Sequence, residues 1–250
     1  MSAGESTYAG LAGHRAVVTG GASGIGAAIA RGFLRHGCRV AVVDVNAPAE
    51  GTFAKDAAVE VHLCDLTDLG AVERTAQAIL GSGDVPRFLV NNAARDDRHR
   101  FGEITPEAFD ALIAVNMRHQ FFMLQHFAPA MAAAGGGAIV NMGSHAAGIG
   151  ATMMPVYGMS KAGIHGLTRA AAREYGGGHV RVNMLVPGWV MTERQKELWW
   201  SPEADEVRAR AQCIPDQILP GDIAEFTLFL CSDSARLVTN QTFLVDGGRN

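Results

Sequence analysis

The sequence predicts a doubly wound α/β fold, one parallel sheet with helices on both faces in a single domain. Three observations lead there. Short apolar runs of strand length alternate with segments of helical period. The runs are continuous rather than alternating, as in strands buried on both faces. And 30 glycines stand among 250 residues, many at junctions where a chain alternating strands and helices must turn tightly. A chain of this length fits one such domain, and 48% hydrophobic residues supply its core.

Residues 1–13 are small, polar and glycine-containing, so they read as a flexible lead-in to a domain over 14–250. Ala16-Val17-Val18-Thr19 is the first strand, followed by a helix through Phe33-Leu34 that Gly37 stops. Val40–Val43 is the next strand and Val59–Leu63 a weaker third. Thr67-Asp68 caps a helix running to Leu80, and Phe88–Val90 is the fourth strand. Phe109 to Ala134, with Phe121, Phe122, Met123, Leu124 and Phe127, is a helix apolar nearly all round. It needs cover on more than one side, from this chain alone or partly from another subunit. Ala138-Ile139-Val140, Val180-Arg181-Val182 and Phe243-Leu244-Val245 complete the sheet. Tyr157 to Tyr175 carries Ile164, Leu167 and Ala171 at helical spacing. The stretch 190–220 breaks the rhythm with Trp199, Trp200, Pro202, Pro215 and many charges. It reads as a flap beside the site, or as a surface loop with one or two helices.

Several function classes are excluded. The net charge is −4, the pI about 6.1, and the longest charge cluster, Arg95 to Arg100, mixes both signs. Nothing there neutralises a row of phosphates, so no nucleic-acid partner is expected. The most apolar stretches are broken by Gly, Pro or charge, and the N-terminus lacks a basic n-region and an apolar h-region. A soluble, cytoplasmic protein with no membrane partner is expected. Cys38, Cys64, Cys213 and Cys231 are scattered, and the nine histidines form no His-Glu-x-x-His. The reading is buried reduced thiols and no metal site.

Thr19-Gly20-Gly21-Ala22-Ser23-Gly24-Ile25-Gly26 follows a strand and opens a helix. Glycines at such a turn let the backbone approach a pyrophosphate, and the helix N-terminus offers it free N–H groups and a positive dipole end. This is the Rossmann-type arrangement. Asp44 ends the next strand, near the usual distance of roughly 20 residues beyond the loop. A carboxylate there accepts from both ribose hydroxyls and repels a 2′-phosphate. No Arg or Lys follows in Val45-Asn46-Ala47-Pro48, which favours NAD over NADP. The alternative is that Asp44 is a turn residue.

Tyr157 and Lys161, four apart, share one helix face. A tyrosine with an ordinary pKa of about 10 must ionise to take a proton from an alcohol, and a drop to about 7 corresponds to roughly 4 kcal/mol. A neighbouring ammonium together with a cationic nicotinamide is the expected source. Ser144 sits at the end of the strand Ala138–Met142, on the side of the sheet where ligands bind in this fold, placed to hydrogen-bond the reacting oxygen.

Taken jointly these residues resemble the short-chain dehydrogenase/reductase family over about 13–248. Thr19 to Gly26 matches its Thr-Gly-x-x-x-Gly-x-Gly. Asn91-Asn92-Ala93-Ala94 matches Asn-Asn-Ala-Gly with Ala94 in place of the last glycine. Asn116, Ser144, Tyr157 and Lys161 match the catalytic tetrad. Asp65-Leu66, Pro187-Gly188 with Thr192, and Val245-Asp246-Gly247-Gly248 match further family segments. The resemblance implies that Tyr157 is general acid/base, that Lys161 lowers its pKa and holds the nicotinamide ribose, that Ser144 orients the substrate, and that Asn116 positions a relay water. It implies cofactor contacts at Gly20, Ser23, Gly24, Ile25, Gly26, Asp44, Asp65, Leu66, Asn92, Tyr157, Lys161, Pro187, Gly188, Val190 and Thr192. It also implies a homotetramer built on the Phe109 and Tyr157 helices.

Asn92 to His99, Val115 to His119 and Thr192 to Gln195, with Trp199, Ser201-Pro202-Glu203 and Ala211-Gln212-Cys213, are similar to a bacterial subgroup of sugar 1-dehydrogenases. That similarity implies NAD-dependent oxidation of an anomeric hydroxyl to a lactone. Ser144, His145, Tyr157, Asp96 and Arg194 are the expected contacts to a polyhydroxylated substrate. The alternatives are oxidation of a secondary alcohol on a sugar acid or polyol and, in another class, a non-catalytic cofactor-binding regulator. Arg95–Arg100 has a plainer reading as a solvated loop whose charges pair with one another, with Arg118 and His119 pairing to Asp96 and Asp97 as support. His145 has one too, as a packed histidine.

Overall fold

The computed structural model describes residues 7–249. Strands β1 (Arg15–Thr19), β2 (Arg39–Asp44), β3 (Val59–Leu63), β4 (Phe88–Asn91), β5 (Gly137–Met142), β6 (Val180–Pro187) and β7 (Thr242–Val245) form one sheet in the order 3-2-1-4-5-6-7. Every pairing is parallel, with Val18 beside Val42 on one side and Val90 on the other. The helices are α1 (Gly24–Arg35), α2 (Leu69–Gly81), α3 (Pro106–Ile113), α4 (His119–Ala133), α5 (His145–Gly148), α6 (Pro155–Tyr175), α7 (Glu193–Leu198), α8 (Pro202–Ala211) and α9 (Pro220–Cys231). The chain leaves β1 in one direction to build β2 and β3 and in the other to build β4 to β7. A crevice therefore opens at the carboxyl end of β1, where this topology binds ligands.

Alternation along the strands divides the core into two layers. Ala16 and Val18 face α1 and α9, where Phe33 stacks on Phe88 at 5.4 Å between ring centroids. Val17, Leu89 and Ile139 face α2, α4 and α6, meeting Ile79, Met123 and Phe127. β3 is the edge strand and largely exposed, which explains the polar Glu60 and His62 that weaken its apolar pattern.

The structure alters three sequence expectations. The lead-in is packed where it is described: Leu11 is fully buried against the first layer, Cys38 Sγ donates to its carbonyl at 3.1 Å, and Gly13 N donates to Gly37 O at 3.0 Å. One large apolar side chain suffices to anchor a small polar segment. Residues 1–6 of that lead-in lie outside the described residues. The helix expected over Phe109–Ala134 is α3 and α4 joined by a π turn at Ala114–Arg118, with Phe121 half exposed rather than covered. Of the four thiols expected to be buried, Cys213 is exposed and the other three are buried. The stretch 190–220 holds α7 and α8, pinned at its base by Met191 N donating to Ile218 O at 2.8 Å.

Arg15 is a buried cation that no periodicity announces. Its guanidinium donates to Ile79 O (2.8 Å) and Ser82 Oγ (2.5 Å) at the end of α2, and to Glu60 Oε2 (2.6 Å). It is only 2% exposed, whereas Glu60 is 56% exposed. The bonds to the helix end therefore matter more than the ion pair. Arg15→Met should lower the unfolding free energy by about 2 kcal/mol by removing a charged donor from the buried Ile79 carbonyl, which keeps only the bond from Ser82 Oγ at 2.9 Å. Glu60→Gln should cost under about 1 kcal/mol. Urea midpoints at an unchanged m-value check both; equal losses would mean the ion pair dominates.

Candidate active site

A cleft of about 1410 Å³ runs along the carboxyl ends of the strands, from Asp44 and Asp65 past the glycine loop to Ser144 and Tyr157. It exceeds the roughly 300–1,000 Å³ of a site for one drug-sized ligand and has room for a large ligand beside a small one.

At one end, Gly20 and Gly24 have φ of +64° and +54°, and a Cβ on Gly26 would overlap the Gly20 carbonyl. Gly26 therefore sits beneath the loop and closes it, while Gly20, Ser23, Gly24 and Ile25 line the cleft. Ser23 caps α1 with its backbone alone, and the first turn holds no acidic side chain. The N–H groups at that end stay available to an anion. Thr19 Oγ1 accepts from Asn92 N (3.0 Å) and Ala93 N (3.1 Å), and Asn92 Nδ2 donates to the carbonyls of Thr19 (3.0 Å) and Gly20 (3.1 Å). Asn92 thus borders the cleft, but its side-chain amide hydrogens are committed to holding the loop. Asp44 accepts from Ala22 N and Asn46 N, one bond to each oxygen, both 3.0 Å. It ends β2 and holds the turn that follows, and each oxygen keeps a lone pair. Asp65 is held below the ordinary carboxylate range by hydrogen bonds from Thr67 N (2.8 Å) and Thr67 Oγ1 (2.7 Å). Leu66, Pro187, Gly188, Val190 and Thr192 line the same cleft. A glycine cradle, an uncapped helix start and a fixed carboxylate fit the pyrophosphate and ribose of a dinucleotide.

At the other end, β5 delivers Ser144, which caps α5 by accepting from Ala146 N at 3.2 Å. Lys161 is fully buried and donates from Nζ to Met142 O at 2.9 Å. Tyr157 stands one turn earlier on α6, with Lys161 Nζ 5.6 Å from its ring centroid. The expected lowering of the tyrosine is reversed in the protein alone. Burial pushes the Tyr157 hydroxyl up to about 12, against the hydrogen bond from Ser144 that draws it down and with the Asp96 charge that raises it. Burial likewise pushes Lys161 down to about 7. Desolvation penalises both charged forms.

Asn116 sits in the π turn and does not line the cleft. Its Oδ1 accepts from Arg95 N (2.8 Å) and its Nδ2 donates to Arg95 O (3.0 Å). It fixes the loop that starts at Ala94. Arg118 and His119 do not pair with Asp96 or Asp97. Arg118 donates to Thr67 O at 2.7 Å, and His119 is fully buried behind the site, pushed down to about 3 by burial and by the Lys161 charge.

Asp96 and Arg194, both read as substrate contacts, meet each other at 3.2 Å. Asp96 also accepts from Gln195 Nε2 at 2.8 Å, whose Oε1 accepts from Trp189 Nε1 at 2.8 Å. Arg98 lies 3.5 Å over the Trp199 ring, and Arg95 pairs with Asp97 at 2.6 Å. The charged loop 94–100 is thus paired partly within itself and partly to the stretch 190–220, across the mouth of the cleft. His145 lines the cleft, with Nδ1 3.1 Å from Asp246 Oδ2. Sequence reasoning missed Trp189 in this wall and the contact of Asp246 with His145. Among the described residues no group of three or more His, Cys, Asp or Glu is placed to hold a metal ion. No helix there is long and apolar enough to cross a membrane.

A family model described as enoyl-(acyl carrier protein) reductase matches residues 20–250. A D-xylose 1-dehydrogenase of Caulobacter vibrioides is 42% identical over 246 residues, covering 96% of this chain and 97% of that protein. A probable galactose dehydrogenase of Rhizobium meliloti is 40% identical, covering 99% of each. Among solved structures, a putative NAD(P)-dependent gluconate 5-dehydrogenase of Beutenbergia cavernae with bound NADP superposes with a TM-score of 0.88. It is 34% identical and covers 95% of this chain and 96% of that one. The glycine loop, the Ser144/Tyr157/Lys161 cluster and this near full-length identity agree: the chain is a nicotinamide-dependent oxidoreductase and belongs to the short-chain dehydrogenase/reductase family.

Proposed function

We propose that the enzyme oxidises the anomeric hydroxyl of a monosaccharide to a lactone, with NAD as hydride acceptor. The observation that carries the chemistry is Tyr157 one helical turn before the buried Lys161, with Ser144 lining the same cleft. The sugar is supported by similarity to the D-xylose and galactose dehydrogenases and by a cleft wall rich in groups that pair with hydroxyls. In this reading Ser144 and Tyr157 hold the C1 oxygen between them, and Tyr157 takes its proton as hydride leaves C1. When bound, NAD supplies the carbon that receives the hydride and a positive charge that favours the tyrosinate. Lys161 holds the ribose and passes the proton on; Asn116 shapes the path to solvent. His145, Asp96 and Arg194 meet the other hydroxyls, the last two after parting from each other, with 190–220 as the flap. Asp44, next to Val45 and Asn46 rather than a cation, supports NAD over NADP. The similarity to a gluconate 5-dehydrogenase favours a second reading, oxidation of a secondary alcohol on a sugar acid. A homotetramer in the cytoplasm completes the proposal, with the half-exposed Phe121 and Met159 of α4 and α6 as interface residues.

A panel of aldoses, sugar acids and polyols run with each cofactor tests this. An aldose should give the highest kcat/KM, with the lactone as product and NAD preferred. Equal efficiency with NADP would remove the cofactor assignment, and a sugar acid as best substrate would favour the second reading. Asp44→Ala should shrink the NAD preference about tenfold or more, since a charge facing a 2′-phosphate is worth on the order of 1.4 kcal/mol.

Tyr157→Phe should lower kcat by about 10²-fold or more while leaving NADH binding by fluorescence titration nearly unchanged. Retention of wild-type kcat would remove Tyr157 from the role of base. Lys161→Met should lower activity yet raise the urea midpoint. The folded Lys161 pKa is about 7 against an unfolded value near 10.4, so the unfolded state binds the extra proton between them. The penalty of burying the ammonium is greatest below about pH 7 and fades as pH rises toward 10.4. The variant's stability advantage should follow that course, and no advantage at pH 7 would contradict it. Sedimentation showing only a 26.4 kDa species would refute the tetramer.

A further inference from the structure

Trp189, Gln195 and Asp96 form a hydrogen-bonded line across the mouth of the cleft, and all three border it. Trp189 Nε1 donates to Gln195 Oε1, and Gln195 Nε2 donates to Asp96 Oδ2, both at 2.8 Å. The direction of the line is fixed by its ends. An indole N–H only donates and a carboxylate only accepts, so the amide between them can point one way alone. Turned over, it would set nitrogen against N–H and oxygen against oxygen. The backbone is held at both ends of the Gln195–Asp96 bond. Gln195 N donates to Thr192 Oγ1 at 3.3 Å, and Asn116 ties both backbone groups of Arg95, the residue before Asp96.

The carboxylate held in this way has capacity left. Ionised, it offers about four lone-pair sites. Gln195 takes one, and Arg194 takes one on the other oxygen at 3.2 Å. The two partners differ in kind. Arg194 is 53% exposed, so its pair with Asp96 is a weak surface one that a ligand can displace. Gln195 is half-buried, uncharged and fixed in direction, and it leaves the negative charge of Asp96 in place. That charge is felt at the Tyr157 hydroxyl, which sets the carboxylate near the reacting end of the cleft. A strut needed only to hold the stretch 190–220 has no use for a charge at its far end, since an amide or hydroxyl oxygen would accept the same hydrogen.

We propose that Gln195 is a positioning residue for substrate recognition: anchored on Trp189, it holds the Asp96 carboxylate so that a free lone pair accepts from a substrate hydroxyl other than the reacting one. For the identity of the ligand this rests on the sugar reading above; the direction of the amide does not.

The test is a double-mutant cycle read through substrate analogues. kcat/KM is measured for D-xylose and D-galactose and for their monodeoxy analogues at carbons other than C1. The wild type should reject one analogue of each sugar by about tenfold to a hundredfold, the range for a hydrogen bond to a charged group. Asp96→Ala should close that gap. Gln195→Glu keeps the bond from Trp189 but turns a second carboxylate on Asp96. It should close the same gap to within a few-fold and leave the gaps at other carbons standing. It should raise KM more than it lowers kcat, with NADH affinity by fluorescence titration unchanged; a variant that merely folds less well would lose kcat at constant KM. Gln195→Met, which removes both bonds and adds no charge, should act at the same carbon. In the Asp96→Ala background Gln195→Glu should have no further effect. Gaps that Asp96→Ala or both Gln195 variants leave intact would overturn the proposal. So would a gap lost at a different carbon, or an effect of Gln195→Glu that survives without Asp96. Should neither aldose be oxidised, the sugar reading falls, and the same cycle on the best substrate of the panel and its deoxy analogues decides the role of Gln195.

Discussion

The hydrogen bond from Lys161 Nζ to the carbonyl of Met142 is the constraint from which the site's geometry follows. It brings an ammonium out of water, at a cost that only a functional role repays, and ties the middle of α6 to the last residue of β5. With that tie made, helix geometry puts Tyr157 one turn nearer the cleft. The strand end puts Ser144 two residues beyond Met142 and within reach of the tyrosine. Behind the tie, Asn91 Nδ2 donates to Asn141 Oδ1 (2.9 Å) and Asn141 Nδ2 to Thr168 Oγ1 (3.0 Å), so β4, β5 and α6 are also joined by a buried polar chain. Apolar side chains could fill that volume, but they would not fix the angle at which α6 meets the strand.

The two ends of the cleft are built on different logic. The dinucleotide end is rigid and made of backbone: glycines, a helix start, and the Thr19 and Asn92 bonds that stitch β1 to β4. The substrate end is made of side chains from segments far apart in sequence, Asp96, Gln195, Trp189, His145 and Asp246, paired with one another across loops. A shared cofactor calls for the first kind of construction. Discrimination among hydroxylated ligands calls for the second, because exchanging one side chain there leaves the scaffold intact.

That division also explains what could be read from the sequence. The sheet, the glycine loop, Asp44 and the Tyr157/Lys161 pair depend on local order and period, so the chain displays them openly. Asp96 and Arg194 were both singled out, but nothing in one dimension says that they pair with each other. Asn116 carries a recognisable motif, yet its partnership with the backbone of Arg95 exists only once the loop has folded back. Arg15 stands just before the apolar run of β1 and looks like a boundary charge until the end of α2 supplies its acceptors. The upward push on the tyrosine in the protein alone is hidden for a related reason: spacing shows the lysine beside it, whereas burial is a property of the assembled fold.

The π turn between α3 and α4 has a consequence for how this chain tolerates change in length. Such a turn carries one residue more than a regular helical turn, so it behaves as an insertion absorbed in place. Deleting one residue from 114–118 would let the two helices merge into one regular helix, with the faces of α3 and α4 kept in their present phase. Met123, Leu124 and Phe127 would still face the sheet, but the widened turn that carries Asn116 to the backbone of Arg95 would be gone. The bulge thus serves the loop at the cleft rather than the core: a chain one residue shorter here would keep its packing and lose the Asn116 hold on that loop.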